Sequence, residues 1–455
     1  MVKGAEQYGY SPGHYFIIEH YHQTGFCNGC DECVKKAAKP PEMAPKSMAS
    51  ASMLAHVVTS KKGDHLPLYR QEEVGLRGGV WLPRATLSNW CRQAAVTSTL
   101  LYSWLARSVL QGAVIGTDET GVPVLAPGSG KTHVGRIWVY CGQREVCPYV
   151  VYEYTHTKEA RHPVGFLGAF EGYLQADAAN TFDRLYVSGS IIEVACAAHM
   201  RRYFFQAIQE ERQRALIALA CFRRLYLLER ELKELNDEQR LQRRQAESLP
   251  ILAELKEWID EWAKTALPST AFGAAVRYAR NHWDALLRYC EQGWLIIDNT
   301  RSERALRSIV VGRRNWLFYG SGNGGRTGAV LSTLVGSAKA NRVSPFAYLE
   351  DVFERLPVIR EDAAMLPVLR AACEQVVLPT GERPKMVGLE TPLDYLRILK
   401  DHPRQLTAQL MKAELPSHLT AELDALKPDQ WLQSHAEHAL PINRPTQLVG
   451  ERPAA

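Results

Sequence analysis

Three carboxylates are notable for the company they keep. Asp118 closes an apolar run, Ala113-Val114-Ile115-Gly116-Thr117, and Asp177 closes a second, Tyr173-Leu174-Gln175-Ala176. Glu303 is the lone acid in a basic stretch. Arg301, Arg304 and Arg307 surround it, Arg313 and Arg314 follow, and no other acid occurs before Glu350. Hard oxygen donors of this kind suit Mg2+, which keeps several waters and takes one or two carboxylates together with substrate phosphates. Two such ions ~3.5–4 Å apart can activate an attacking oxygen and stabilise a leaving one in phosphodiester cleavage. The arginines would then hold phosphates, with an affinity that falls as salt rises. A plainer reading stays open for Glu303: an i, i+4 pair with Arg307 on an exposed helix contributes only ~0.3–0.5 kcal/mol. Glu119 and Asp183 compete for the acid roles, although on a strand Glu119 points away from the face that carries Asp118.

The elements that must position these acids follow from periodicity. Residues 113–120, 136–140 and 149–154 are rich in β-branched and aromatic side chains and read as three strands. A helix over 163–170 precedes a further strand over 173–177, whose Asp177 can lie beside Asp118. Ala305, Leu306, Ile309 and Val310 recur at helical spacing, which places Glu303 on an amphipathic helix. Residues 200–290 read as helical throughout and separate Asp177 from Glu303, as an insertion inside one catalytic domain would. Their charged faces read as solvated surface. The fold class is therefore α/β, with a large helical insertion between a first core part (108–199) and a second (291–355).

Upstream, 53–107 reads as a compact helical region. Short helices over 69–76 and 84–93, joined by a Gly78-Gly79 turn, are consistent with a helix-turn-helix. Thr86, Ser88, Asn89 and Arg92 would face outward from it. Residues 35–52, rich in Pro, Ala, Ser and Lys, read as a linker. Cys27, Cys30 and Cys33 cluster in 1–34, and Cys-x-x-Cys is the spacing with which a tight turn offers two thiolates to zinc. After residue 355 prolines multiply, and 356–455 reads as an extension without chemistry of its own.

The totals narrow the function class. The chain has 455 residues, a formal charge of +5 and ten cysteines, most of them isolated. That usage fits reduced thiols in the cytoplasm rather than a disulfide framework. No apolar run approaches the ~18–20 residues of a membrane span. Two phosphate-loop lookalikes are rejected. Gly128-Ser129-Gly130-Lys131-Thr132 lacks the leading glycine, since that position is Leu125. Gly320-Ser321-Gly322-Asn323-Gly324-Gly325 lacks the βαβ setting of a dinucleotide site.

Several longer motifs carry a resemblance. They are Asp64-His65-Leu66-Pro67-Leu68-Tyr69-Arg70-Gln71, Thr117-Asp118-Glu119-Thr120, Leu174-Gln175-Ala176-Asp177, and Ala198-His199-Met200-Arg201-Arg202. Asp298-Asn299 with Ser302-Glu303-Arg304-Ala305-Leu306-Arg307, and Gly312-Arg313-Arg314-Asn315-Trp316, complete the set. In this order the chain resembles transposases of insertion-sequence family 66, DDE transposases with a ribonuclease-H-like catalytic core. The resemblance implies that Asp118, Asp177 and Glu303 bind two Mg2+ ions, for which Mn2+ substitutes. It also implies that His199, Arg202, Asn299 and Arg304 support them near the DNA. Such an enzyme would bind the inverted-repeat ends of its element, hydrolyse a phosphodiester and transfer the 3′-hydroxyl into target DNA. Its partners would be DNA, further copies of itself and accessory proteins of the element, at the nucleoid. Family members usually carry a further Cys-x-x-Cys upstream, so Cys27 and Cys30 would be half of a Zn2+ ribbon. The alternative is a catalytically impaired DNA-binding relic or regulator of the same element.

Overall fold

The computed structural model describes residues 13–26, 34–126, 128, 130–142, 148–177 and 180–440. A small antiparallel hairpin, β1 (Thr24–Phe26) with β2 (Val34–Lys36), comes first. Cys27, Cys30 and Cys33, and with them the zinc expectation, lie outside the described residues. A five-stranded mixed sheet follows. It is built from β3 (Val114–Leu125), β4 (Thr132–Gly142), β5 (Val150–Thr155), β6 (Gly172–Gln175) and β7 (Ile191–Val194), in the order β5-β4-β3-β6-β7. β3, β4 and β5 pair antiparallel, whereas β6 runs parallel to β3 and β7 parallel to β6. β7 is a strand that the sequence reading does not contain.

Alternation along the strands gives the sheet two faces. Asp118, Val139 and Tyr152 are cross-strand neighbours on one, Glu119, Trp138 and Glu153 on the other. Three helices precede the sheet: α1 (Ala51–Lys62), α2 (Leu68–Arg77) and α3 (Arg84–Leu110). α4 (Arg161–Leu167) and the short α5 (Asp183–Tyr186) lie between strands. Helices α6 (Ala197–Gln206), α7 (Arg212–Glu231), α8 (Asp237–Arg243), α9 (Leu249–Trp262), α10 (Ala271–Asn281) and α11 (Trp283–Leu287) form the insertion. It has its own core around Phe204, Phe222, Leu255 and Tyr289. α12 (Thr300–Trp316) and α13 (Gly322–Ala340) return to the sheet. Leu306, Ile309 and Ala329 pack on the Asp118 face against Val139 and Tyr152. The chain between them adds to β3, where Tyr319 N–H donates to the carbonyl of Pro123 at 3.0 Å.

Three features depart from the sequence reading. α3 does not stop near residue 93. Its first half is amphipathic, with Ser88, Asn89 and Arg92 exposed and Thr86 half-buried, but from Ala94 to Ala106 it is buried and runs through the main core. The 35–52 segment is anchored: Met43 and Ala44 are buried, and the Thr97 hydroxyl reaches the Met43 carbonyl at 3.4 Å. The C-terminal segment is no appendage. α14 (Pro345–Arg360) crosses the expected boundary at 355. α15 (Met365–Glu374), α16 (Pro392–Leu399), α17 (Pro403–Lys412), α18 (Ser417–Ala425) and α19 (Pro428–Ser434) share one apolar cluster with α1, α3 and the sheet. Polar ties close it, among them Arg404 to Glu153 at 2.5 Å, Trp104 Nε1 to Asp424 at 2.9 Å and Tyr149 to Asp429 at 2.6 Å. Among the described residues no helix is long and apolar enough to cross a membrane.

Candidate active site

Strand pairing brings the two aspartates together. β3 and β6 run in parallel with Gly116 opposite Gln175. Asp118 and Asp177 each lie two residues beyond this pair, and the charge of Asp177 acts on Asp118. Asp118 Oδ1 accepts the Glu119 N–H at 2.7 Å, which favours the ionised form. Burial outweighs that bond, and the charges of Asp177, Glu303 and Glu119 push in the same direction as burial. The carboxyl is pushed up to about 7.

Glu303 arrives from the opposite side, in the first turn of α12 where the positive end of the helix dipole favours a carboxylate. Its Oε1 lies 3.4 Å from His199 Nε2 and 3.5 Å from Arg202 Nη2, both on α6. Burial holds the His199 pKa below its ordinary value, more strongly than Glu303 raises it. Glu303 Oε1 and His199 Nδ1 are buried without a hydrogen-bond partner among the described residues.

The start of α12 is fastened by residues that sequence reasoning missed or misplaced. Asn299, expected as a supporting residue near the DNA, is fully buried and so does not itself face solvent. Its amide Nδ2 donates to the Thr117 carbonyl at 2.6 Å, one residue from Asp118, and its N–H donates to Cys196 Sγ at 3.1 Å. Tyr226, from the insertion, donates to Asp298 at 2.9 Å, and Gln175 Nε2 donates to the Ile296 carbonyl at 2.7 Å. Nothing in the sequence around Tyr226 signals this long-range tie. Gln175 carries a hint, being a buried polar side chain two residues before an acid.

The competing acids are occupied elsewhere. Glu119 pairs with Lys158 at 2.7 Å and Arg136 at 3.4 Å, and Asp183 is exposed at the start of α5. Among the described residues no three His, Cys, Asp or Glu side chains are drawn together tightly enough to enclose an ion unaided. The charges of Asp177 and Glu303 both act on Asp118. The donor chemistry of the three acids fits a divalent cation that keeps other ligands, because the like charges of Asp177 and Glu303 bear on the Asp118 carboxyl and Glu303 Oε1 has no hydrogen-bond partner among the described residues. The glycine-rich 320–325 loop has a packing explanation. A Cβ on Gly325 would sit 2.5 Å from the Tyr154 ring, and one on Gly322 would sit 2.8 Å from His156.

Residues 46–327 match the family described as "Transposase IS66 family", and residues 333–367 match the "IS66 C-terminal element". The chain belongs to the IS66 transposase family. The second match runs past residue 355, in keeping with the packing of α14 into the main core. Three relatives from Sinorhizobium fredii (strain NBRC 101917 / NGR234) are named only as uncharacterized proteins. The chain is similar to y4jD (31% identity over 72% of this chain and 67% of that one), y4qI (33%, 71% and 62%) and y4hP (29%, 77% and 67%). It thus spans between 62% and 67% of the length of these relatives.

In this IS66 chain the arginines of α12 divide into two sets. Arg304, Arg307 and Arg314 are exposed, with Val311, along one stripe at i, i+3, i+7 and i+10. Arg301 and Arg313 are half-buried against the sheet. Arg313 donates to the Gly121 carbonyl, and the charge of Arg301 acts on the buried Cys141 thiol.

Proposed function

We propose that this chain is a DNA transposase of the DDE type, with a ribonuclease-H-like core formed by the five-stranded sheet, α12 and α13. One observation carries the reading: the β3–β6 pairing and the start of α12 bring the charges of Asp177 and Glu303 to bear on Asp118, which is pushed up to about 7. The order of the sheet, an antiparallel meander joined at its first strand to two parallel strands, supports the fold assignment.

In the proposed reaction Asp118, Asp177 and Glu303 would hold Mg2+, which would supply an activated oxygen nucleophile and stabilisation of the leaving oxygen. Asn299 fixes the α12 start against β3, so that Glu303 keeps its distance from the aspartates. His199 and Arg202 orient the Glu303 carboxylate. Arg304, Arg307 and Arg314 hold the DNA backbone along the exposed stripe, and Arg301 and Arg313 brace α12 on the sheet. In the first step water attacks phosphorus and the bond to the 3′-oxygen breaks, leaving a 3′-hydroxyl and a 5′-phosphate. In the second that hydroxyl attacks a target phosphorus, so one phosphodiester forms as another breaks. Further copies of the chain would assemble on the two ends.

The test is joining of a pre-cut duplex, copied from the DNA bordering the gene, to a supercoiled plasmid in Mg2+ or Mn2+. Joined product with the wild type and none with Asp118→Asn, Asp177→Asn or Glu303→Gln is the expected result. Duplex binding without nicking or joining by the wild type would instead identify a DNA-binding relic.

A further inference from the structure

The Asp64-His65-Leu66-Pro67-Leu68 motif, left unexplained by the acids, borders a second cluster of charge. We infer that Lys61, Lys62, His65, Lys339 and the Ser332 hydroxyl form a binding pocket for one phosphate group. A cavity of about 30 Å3 lies between the end of α1, α12 and α13, and all five residues line it together with Ser308. Space of that size admits one or two water-sized oxygens, which suits the non-bridging oxygens of a phosphate and excludes a base or sugar.

Three observations point to an anion. The Ser332 Oγ is buried, with the residue 6% exposed, and has no hydrogen-bond partner among the described residues. The cations repel one another. Lys62 is brought down to about 7, first by burial and then by Lys61, and His65 is lowered by burial and then by Lys339 and Lys62. Asp64, which is exposed, is the acid that opposes this at His65 and Lys339. Finally, His65 holds φ at +61°, a left-handed conformation disfavoured for a side chain with a Cβ. That backbone turns the ring toward α12, where Gly312 makes room: a Cβ there would meet His65 Nδ1 at 3.3 Å and Trp316 Nε1 at 2.7 Å.

A lysine near a helix C-terminus can simply complement the helix dipole. Lys339 does so in part, donating to the Gly63 carbonyl at 2.6 Å, and Lys62 lies 5.4 Å from the centre of the Tyr319 ring. Neither contact supplies the negative charge that three amines and an imidazole call for. A phosphate does, and it also gives the Ser332 hydroxyl an acceptor. The pocket shares α12 with the exposed arginine stripe, so a DNA backbone held by Arg307 and Arg314 has a route toward it.

The experiment uses the full chain with two probes, inorganic phosphate followed by calorimetry and a random-sequence duplex followed by fluorescence anisotropy. Lys62→Met is the primary variant. Ser332→Ala is the second, in case the first alters folding, and Glu390→Gln, at an exposed residue outside both clusters, is the control. The expected result is a tenfold or greater loss of affinity in Lys62→Met and a smaller loss in Ser332→Ala, with Glu390→Gln unchanged. Sulfate, whose charge is constant across neutrality, should bind more weakly as the pH rises through about 7 and Lys62 loses its proton. Loss of duplex affinity, with or without loss of phosphate binding, assigns the pocket to the DNA backbone, and the salt slope should then fall by about 1. Loss of phosphate binding alone assigns it to a free anion. Unchanged affinity for both probes in both pocket variants overturns the inference. Because the pocket variants leave the three acids intact, failure of the strand-transfer reading and failure of this one are separable.

Discussion

Arg244, in the helical insertion, and Asp118, in the central strand, are both ionisable groups largely withdrawn from water, but their surroundings differ. Arg244 sits in a π-helical turn and is 1% exposed. Its Nε and Nη2 donate to the two oxygens of Glu229 at 2.8 and 2.7 Å. Its Nη1 reaches the carbonyls of Tyr289, Gln292, Gly293 and Leu295 at 2.8–3.3 Å. Each of its three nitrogens donates to a partner within the chain. Asp118 receives one backbone N–H and otherwise faces like charge. Near it Thr117 Oγ1, Asn299 Oδ1, His199 Nδ1 and Glu303 Oε1 lack partners among the described residues. A buried charge that the fold completes is part of the scaffold. One that the fold leaves incomplete is where an outside group can bind.

The largest effect should come from breaking the complete cluster. Arg244→Met strands Glu229 and several carbonyls, and removing one partner of a buried ion pair costs about 3–5 kcal/mol. Urea denaturation should show that loss, and a loss under about 1 kcal/mol would mean that the insertion does not depend on it. The incomplete cluster should respond with the opposite sign. The folded-state pKa of Asp118 lies above its unfolded value, so the native state binds that proton more tightly and the ionised carboxylate weakens the fold. That penalty is absent near about pH 4, grows as the pH rises, and levels off above about 7. Asp118→Asn should therefore stabilise the metal-free protein by about 1–3 kcal/mol at pH 8 and by almost nothing at pH 4, while abolishing strand joining. A variant that is destabilised at pH 8 would remove the contrast with Arg244. The smallest stability effect belongs to the exposed stripe. Arg304→Gln combined with Arg307→Gln should change stability by less than about 0.5 kcal/mol. It should lower the salt slope of duplex binding by about 2, since each phosphate that is no longer neutralised removes about 0.9.

Much of this was legible in local pattern, because the strands read over 113–120, 136–140 and 149–154 are rich in β-branched and aromatic residues and α12 is amphipathic. Asp118 and Asp177 each follow an apolar run, on neighbouring parallel segments, but β3 continues past Asp118 to Leu125 where the sequence suggested a strand end. What was not legible depends on distant partners. β7 is four residues long, and Ile191-Ile192-Glu193-Val194 has too little pattern to distinguish it from a loop. The second half of α3 looked like the end of a helical hairpin because the residues that bury it, in α14 to α19, lie hundreds of positions away. The same holds for Asn299. A polar residue opening a basic helix suggests solvent and phosphate, and only the fold reveals the Thr117 carbonyl above it. Arg244 lay among charged residues of a helix that read as solvated surface, with no local sign that it turns inward.

Whether the acids form one cation site is tested most directly by calorimetric titration of Mn2+. The wild type, Asp118→Asn and Asp177→Asn would each be titrated, with and without a DNA duplex. The predicted result is saturable binding by the wild type, alone or once DNA is present, and its loss in both variants with the fold intact. Binding that persists unchanged in both variants under both conditions would contradict a shared cation site.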